Sequence, residues 1–185
     1  MELREIIIDS KTLYKGKVFD LKLDAVKLPN GETAMRETVN HPGAVCVAAM
    51  NSQKEIAFVK QYRSACMKTL LELPAGKLER GEIPLNSAKR ELSEETGIIG
   101  KEFKSLGYIY VTPGYSNEII HLYACKVESQ GKQNLDTDEF VESIFIKQEK
   151  ALDMVLNDEI HDAKTQICIL KLSNLISSGK LELDS

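Results

Sequence analysis

Residues 76–98 read GKLERGEIPLNSAKRELSEETGI, and the reading of this stretch decides the fold of the chain. Pro84 suits the first helical position, where its missing N–H costs nothing. Gly97 suits the residue just past the helix end, where φ > 0 is wanted. Between them Leu85, Ala88 and Leu92 recur at i, i+3 and i+7 and form one apolar stripe. On that helix Glu91 and Glu95 lie side by side at the edge of the stripe, with Glu94 next to them and Arg90 further round. Like charges at i,i+4 cost a few tenths of a kcal/mol per pair even on an exposed helix. An acidic cluster retained beside an apolar face predicts a bound cation, because hard oxygen ligands are how proteins hold Mg²⁺ or Mn²⁺ against phosphate.

A solvated amphipathic helix would account for the REL-x-EE run alone. It leaves Gly76 and Glu82 unexplained. Gly76, Glu82, Arg90, Glu91, Leu92, Glu94, Glu95, Gly97 and Ile98 together fill the pattern G-x5-E-x7-REU-x-EE-x-GU without a mismatch, U being a bulky aliphatic residue. This pattern resembles the signature of the Nudix hydrolases. The resemblance implies hydrolysis of a nucleoside diphosphate linked to another group, with Mg²⁺ or Mn²⁺, two or more ions per site, held on a loop–helix–loop. It implies Glu91 and Glu95 as the main metal ligands, with Glu94 supporting them in the catalytic set. Glu82 is a further ligand or a partner for Arg90, and Arg90 orients the glutamates rather than touching substrate. The Ala75 carbonyl is a further hard oxygen, and Gly76 lets the backbone turn close to the metal.

The composition fits a soluble enzyme. The chain has 185 residues, 43% hydrophobic and 28% charged, enough for a real core and far from the disordered range. A net charge of −4 and a pI near 5.5 argue against a duplex nucleic-acid binder, which needs clustered Lys and Arg. No apolar run approaches the ~20 residues of a membrane span, and MELREIIID is not a basic-then-apolar signal peptide. The cysteines form no C-x-x-C pair: Cys46, Cys125 and Cys168 read as core residues and Cys66 as a loop residue, which predicts a reducing cytoplasmic setting. His41, His121 and His161 have no metal-ligand spacing and read as structural.

Two regions are expected. Residues 1–40 form an N-terminal β region: Phe19, Leu21, Leu23 and Ala25 alternate with polar neighbours, Asn30-Gly31 marks a hairpin, and Ile6 to Ile8 add a further strand. Such a meander is too small to bury a core alone and must pack on the main domain or on a second subunit. Residues 41–185 form the hydrolase domain. Ala44 to Met50 is a continuous apolar run, as for a strand covered on both faces. Strands follow at Ile56–Val59, Tyr108–Val111, Ile119–Val127 and Phe140–Ile146, a loop runs from Arg63 to the acidic helix, and helices span Gln148–Leu156 and Ala163–Ser177. Helices on both faces of a mixed sheet make a three-layer α/β/α sandwich. The specific Nudix topology is what the resemblance implies.

Flanking motifs narrow the substrate. Pro113 stands 16 positions after Gly97, and the runs MRETVNHPGAV, VKQYR and LLELPAGKLERGE likewise resemble the ADP-ribose pyrophosphatase branch of the family, over nearly the entire chain. That branch implies a nucleoside diphosphate sugar as substrate, ADP-ribose cleaved to AMP and ribose 5-phosphate. It also implies a homodimer that exchanges the N-terminal sheet, with Tyr14 or Phe19 stacking on adenine. Arg36 and Arg63 are the cationic candidates for phosphate or base, since guanidinium forks suit both. Pro113, Gly114 and Glu118 are the candidates for the terminal ribose. The general base, or a late metal ligand, is Glu139, with Glu142 as the alternative. Two rivals stand beside this reading: a Nudix hydrolase for GDP-sugars or dinucleoside polyphosphates, and a non-catalytic ADP-ribose sensor.

Overall fold

Alternation, turns and apolar runs set the elements of the computed structural model, which describes residues 2–137 and 139–181. They fall into two compact units. One runs to Gly43 and takes in Tyr110–Ile119; the other comprises Ala44–Ile109 and the chain from Ile120 onward.

The first unit is a three-stranded antiparallel sheet in the order β1 (Ile6–Lys15), β2 (Asp20–Lys27), β3 (Thr33–Asn40). The β2–β3 turn is the expected Asn30-Gly31 hairpin: Gly31 has φ 88° and its N–H donates to the Leu28 carbonyl at 2.9 Å. Strand β1 is three times longer than Ile6–Ile8 suggested. All ten of its residues are exposed, so it has no buried face to impose a period of two on IIIDSKTLYK. The Tyr110–Ile119 segment is tied to β3 by backbone bonds, with Val39 N–H donating to the Tyr115 carbonyl (2.7 Å) and Asn117 N–H to the Val39 carbonyl (3.2 Å).

The second unit is a mixed seven-stranded sheet with helices on both faces, the α/β/α sandwich expected. The strands are β4 (Ala44–Met50), β5 (Glu55–Arg63), β6 (Lys68–Glu72), β7 (Ala75–Lys77), β8 (Ile98–Tyr110), β9 (Ile119–Gln130) and β10 (Val141–Lys147). The order is β10-β5-β4-β9-β8, with β6 on β5 and β7 on β4, and β4 runs parallel to β9. Cys46, Ala48 and Met50 of β4 face one side and pack with Ile160, Cys168, Ile169 and Leu172. Val45, Val47 and Ala49 face the other and pack with Ala88 and Leu92. That two-sided burial is why β4 reads as an unbroken apolar run.

Helix α1 spans Pro84–Thr96, α2 Gln148–Leu156 and α3 Ala163–Ser177. Pro84 opens α1 and Gly97 closes it at φ 70°. Strands β6 and β7 lie where the sequence suggested a loop. They are five and three residues long and Pro74 separates them, so neither carries a readable period. Strand β8 starts directly after Gly97, well before Tyr108; left-handed residues at Glu102 (φ 52°) and Gly107 (φ 90°) interrupt its alternation. Among the described residues no helix is long and apolar enough to cross a membrane.

Candidate active site

The acidic cluster is built where α1 packs on β7. Ala88 and Leu92 are fully buried, and this anchors the face that carries Glu91 and Glu95. Glu95 is 3% exposed, and its Oε2 accepts a hydrogen bond from the Ala75 N–H at 2.9 Å. The Glu91 carboxylate lies against Gly76 so closely that a Cβ at residue 76 would fall inside it. Gly76 is thus required by a close approach within a strand, and not by a turn. Glu94 is the most open of the three, as a residue further round the helix should be.

Arg90 gathers the glutamates. Its Nε and Nη2 donate to Glu82 Oε1 and Oε2 (3.1 and 3.0 Å), and its Nη1 donates to Glu91 Oε1 (2.7 Å) and Glu94 Oε2 (3.0 Å). The remaining Nη2 contacts are Ser87 Oγ (3.1 Å) and the Lys77 carbonyl (3.3 Å). One guanidinium so bridges the loop glutamate and two helix glutamates. Of the two roles open to Glu82, the geometry displays the partner of Arg90.

The electrostatics separate the carboxylates. The Arg90 fork holds the Glu82 carboxyl down to about 2. Burial pushes Glu91 upward, against the pull of Arg90. Glu95 is pushed up to about 8, first by burial and then by the charges of Glu91 and Glu139, with the Ala75 N–H and Arg63 opposing. A buried carboxylate crowded by others, with a neutral amide for its hydrogen-bond partner and a cation acting only from a distance, is poorly compensated.

Glu139 reaches this cluster through a strap that the sequence reading missed. The last four carbonyls of a helix have no intrahelical partners. Here residues 130–134 satisfy those of Glu94 to Gly97. Asn134 N–H donates to the Glu94 carbonyl (2.9 Å) and Gln133 Nε2 to that of Glu95 (2.5 Å). Gln130 Nε2 donates to that of Thr96 (3.3 Å) and Gly131 N–H to that of Gly97 (2.7 Å). The strap delivers Glu139 close enough for its charge to be felt by Glu91 and Glu95. Glu142 is instead an exposed residue of β10, 3.4 Å from Lys60.

Arg63 belongs to the same unit, and its charge is also felt by Glu95. Its Nε and Nη2 donate to the two oxygens of buried Glu72, each at 2.7 Å. Arg36, Pro113, Gly114 and Glu118 belong to the other unit. Arg36 is forked onto Glu5 at 3.0 and 2.6 Å. Pro113 and Gly114 form a turn closed by the Tyr115 and Ser116 N–H groups on the Thr112 carbonyl (3.1 and 3.0 Å). Glu118 Oε1 is 3.5 Å from His41 Nδ1. Tyr14 and Phe19 are exposed rather than core residues, with ring centroids 6.3 Å apart.

Residues 39–165 match the NUDIX domain. The chain belongs to the NUDIX family. It is 42% identical over 182 residues to an ADP-ribose pyrophosphatase of Bacillus subtilis (strain 168), covering 96% of this chain and 98% of that one. It is 44% identical over 168 residues to a methanol dehydrogenase activator of Bacillus methanolicus, covering 89% and 90%. A solved ADP compounds hydrolase superposes with a TM-score of 0.82 over 98% of this chain and all of its own; at 16% identity that likeness speaks for the fold.

NUDIX proteins generally use divalent metal ions, and the residues present suit one. Among the described residues no three acidic, imidazole or thiol groups already converge on a point. Instead Arg90 holds Glu91 and Glu94, while the hydrogen-bond partner of Glu95 is the neutral Ala75 N–H. Hard carboxylate oxygens, two of them well buried, are the donor set for Mg²⁺ or Mn²⁺. The acidic cluster was legible from spacing. The strap was not, because its partners are remote in sequence, and the Arg63–Glu72 fork was not, because it follows from the β5–β6 register.

Proposed function

We propose that this NUDIX chain hydrolyses the pyrophosphate bond of ADP-ribose to AMP and ribose 5-phosphate with the help of Mg²⁺ or Mn²⁺. The observation that carries the reading is the 42% identity to an ADP-ribose pyrophosphatase across nearly the full length of both chains. In this reading Glu91 and Glu95 are the principal ligands, with Glu94 and the Ala75 carbonyl in support. A divalent cation, when bound, neutralises non-bridging phosphate oxygens and lowers the pKa of a bound water. Arg90, held by Glu82, fixes the glutamates at their spacing. Glu139 takes the proton of the attacking water or serves as a late ligand; its nearness to Glu91 and Glu95, against the surface pairing of Glu142, favours it. Arg63 meets a phosphate oxygen. Pro113, Gly114 and Glu118 meet the terminal ribose, and Arg36 the phosphate or base.

The chain works as a homodimer built on its N-terminal sheet. Strand β1 is an edge strand, and Ile6, Ile7, Ile8, Leu13 and Tyr14 on it are each 48–61% exposed, a row that a second copy would cover. The free cysteines suit a cytoplasmic, reducing setting.

The test is purified protein with Mg²⁺ and a panel of ADP-ribose, GDP-sugars and dinucleoside polyphosphates, with products resolved by chromatography. AMP and ribose 5-phosphate from ADP-ribose are expected. Cleavage of another member without AMP from ADP-ribose would move the substrate elsewhere, and ADP-ribose binding without turnover would make the chain a sensor.

A further inference from the structure

Glu72 is the least exposed carboxylate among the described residues, at 1%. It ends β6, opposite Val59 of β5. Besides the Arg63 fork it accepts a hydrogen bond from Lys164 Nζ, at the start of α3. Lys164 also donates to Asp162 Oδ1 at 2.9 Å, and Asp162 Oδ2 caps α3 by accepting from the Thr165 N–H at 2.9 Å. Thr165 Oγ1 in turn accepts from the N–H of Leu73, next to Glu72, at 2.9 Å. The N-terminus of α3 so grips Glu72 and Leu73 from two sides.

Stability does not account for this arrangement. Burying a carboxylate with its cations is costly, and well-packed apolar residues of similar volume commonly serve as well or better. What the arrangement achieves is an orientation. A guanidinium has five N–H donors in a rigid fork. Glu72 occupies the Nε edge, leaving both Nη1 protons and the outer Nη2 proton of Arg63 for another acceptor, on a side chain that is 39% exposed. Lys164, itself only 12% exposed, donates to the same Glu72 Oε2 that Arg63 Nη2 binds, which fixes the carboxylate in the orientation that sets the fork.

We propose that Glu72 and Lys164 are positioning residues that aim the free edge of the Arg63 guanidinium at a pyrophosphate oxygen beside the acidic cluster; this rests on the hydrolase reading above. Neither touches substrate. Both act through Arg63.

A double-mutant cycle tests it on the folded, metal-loaded protein, with circular dichroism to normalise the folded fraction. Arg63→Ala is expected to lower kcat/KM by about a hundredfold and Glu72→Gln by about tenfold or more. The double variant is expected to match Arg63→Ala within about twofold, because nothing remains to be aimed. Equal losses from Glu72→Gln with and without Arg63 would overturn the proposal and leave Glu72 a structural residue. Should Glu72→Gln fail to fold, Arg63→Lys decides instead. Lysine keeps the charge but cannot hold Glu72 as a fork and face phosphate at once, so activity below about a tenth is expected; activity within about twofold of wild type would overturn the proposal. If another nucleotide sugar proves to be the substrate, the same cycle on it is decisive although the ADP-ribose reading has failed. If the chain binds without turnover, the cycle is read in Kd.

Discussion

Gly76 and Glu91 share one space: the glutamate carboxylate fills the position that a side chain on residue 76 would need. The glycine of the motif is therefore part of the glutamate's seat. Gly76→Ala is expected to expel the Glu91 carboxylate, raise the Mg²⁺ concentration for half-maximal rate by about tenfold or more, and cost about 1–3 kcal/mol of stability. A Mg²⁺ titration that overlays wild type would disprove the shared seat.

Glu95 predicts a pH dependence in the metal-free protein. Its folded pKa, about 8, stands above the ordinary 4.5, so its contribution to stability is complete below about 4.5 and is lost as pH rises through 8. Glu95→Gln removes that titration. In EDTA, urea unfolding should show the variant gaining on wild type as pH rises, by at most about 1.4 kcal/mol per pH unit. Mg²⁺ should stabilise wild type and not the variant, and kcat of the variant should fall by about two orders of magnitude or more. A gap that stays constant with pH would refute the burial of a poorly compensated carboxylate.

Arg90 is the shared counter-charge of three glutamates. Arg90→Met should disperse them, weakening Mg²⁺ binding and lowering kcat by about a hundredfold. Arg90→Lys should recover little, because an ammonium cannot fork onto Glu82 and bridge Glu91 to Glu94 together. Full activity in the lysine variant would show that charge alone suffices.

Gln133 tests the strap. Gln133→Ala leaves the Glu95 carbonyl without its donor and is expected to cost about 1–3 kcal/mol. Hydrogen exchange at Gly131 and Asn134 should quicken and kcat fall several-fold, with the Mg²⁺ requirement little changed. Unaltered exchange would mean that the strap is held elsewhere.

Ile7, 61% exposed on β1, tests the dimer. Light scattering is expected to give two copies for wild type and one for Ile7→Asp, since a buried unpaired carboxylate is not tolerated in an apolar interface. A monomeric wild type would sink the dimer reading.

What was legible in the sequence was local. Pro84 and Gly97 punctuate α1 at both ends, Ala44–Met50 announces a two-sided strand, and the spacing of the glutamates follows from helix geometry alone. What was hidden was remote or short. Strand β7 has three residues, and the fork between Arg63 and Glu72 needs α3 to bury it. Arg36 and Arg63 look alike as free cations in the sequence, yet each is forked onto a glutamate, Glu5 and Glu72. Composition cannot reveal such pairings; a register and a docked helix create them. The strap escaped notice for the same reason, as it recognises carbonyls and so leaves no side-chain pattern on α1.

Because residues 130–134 are fastened to the end of α1 through main-chain carbonyls, the junction accepts changes in the side chains of α1's last turn but not in chain length. The short run between Asn134 and β10 carries Glu139, so its length is set by the anchor on one side and the sheet on the other. A foreign segment grafted there must match that length and keep an acid at position 139, whereas one residue inserted between the anchor and Glu139 would shift that acid relative to the cluster.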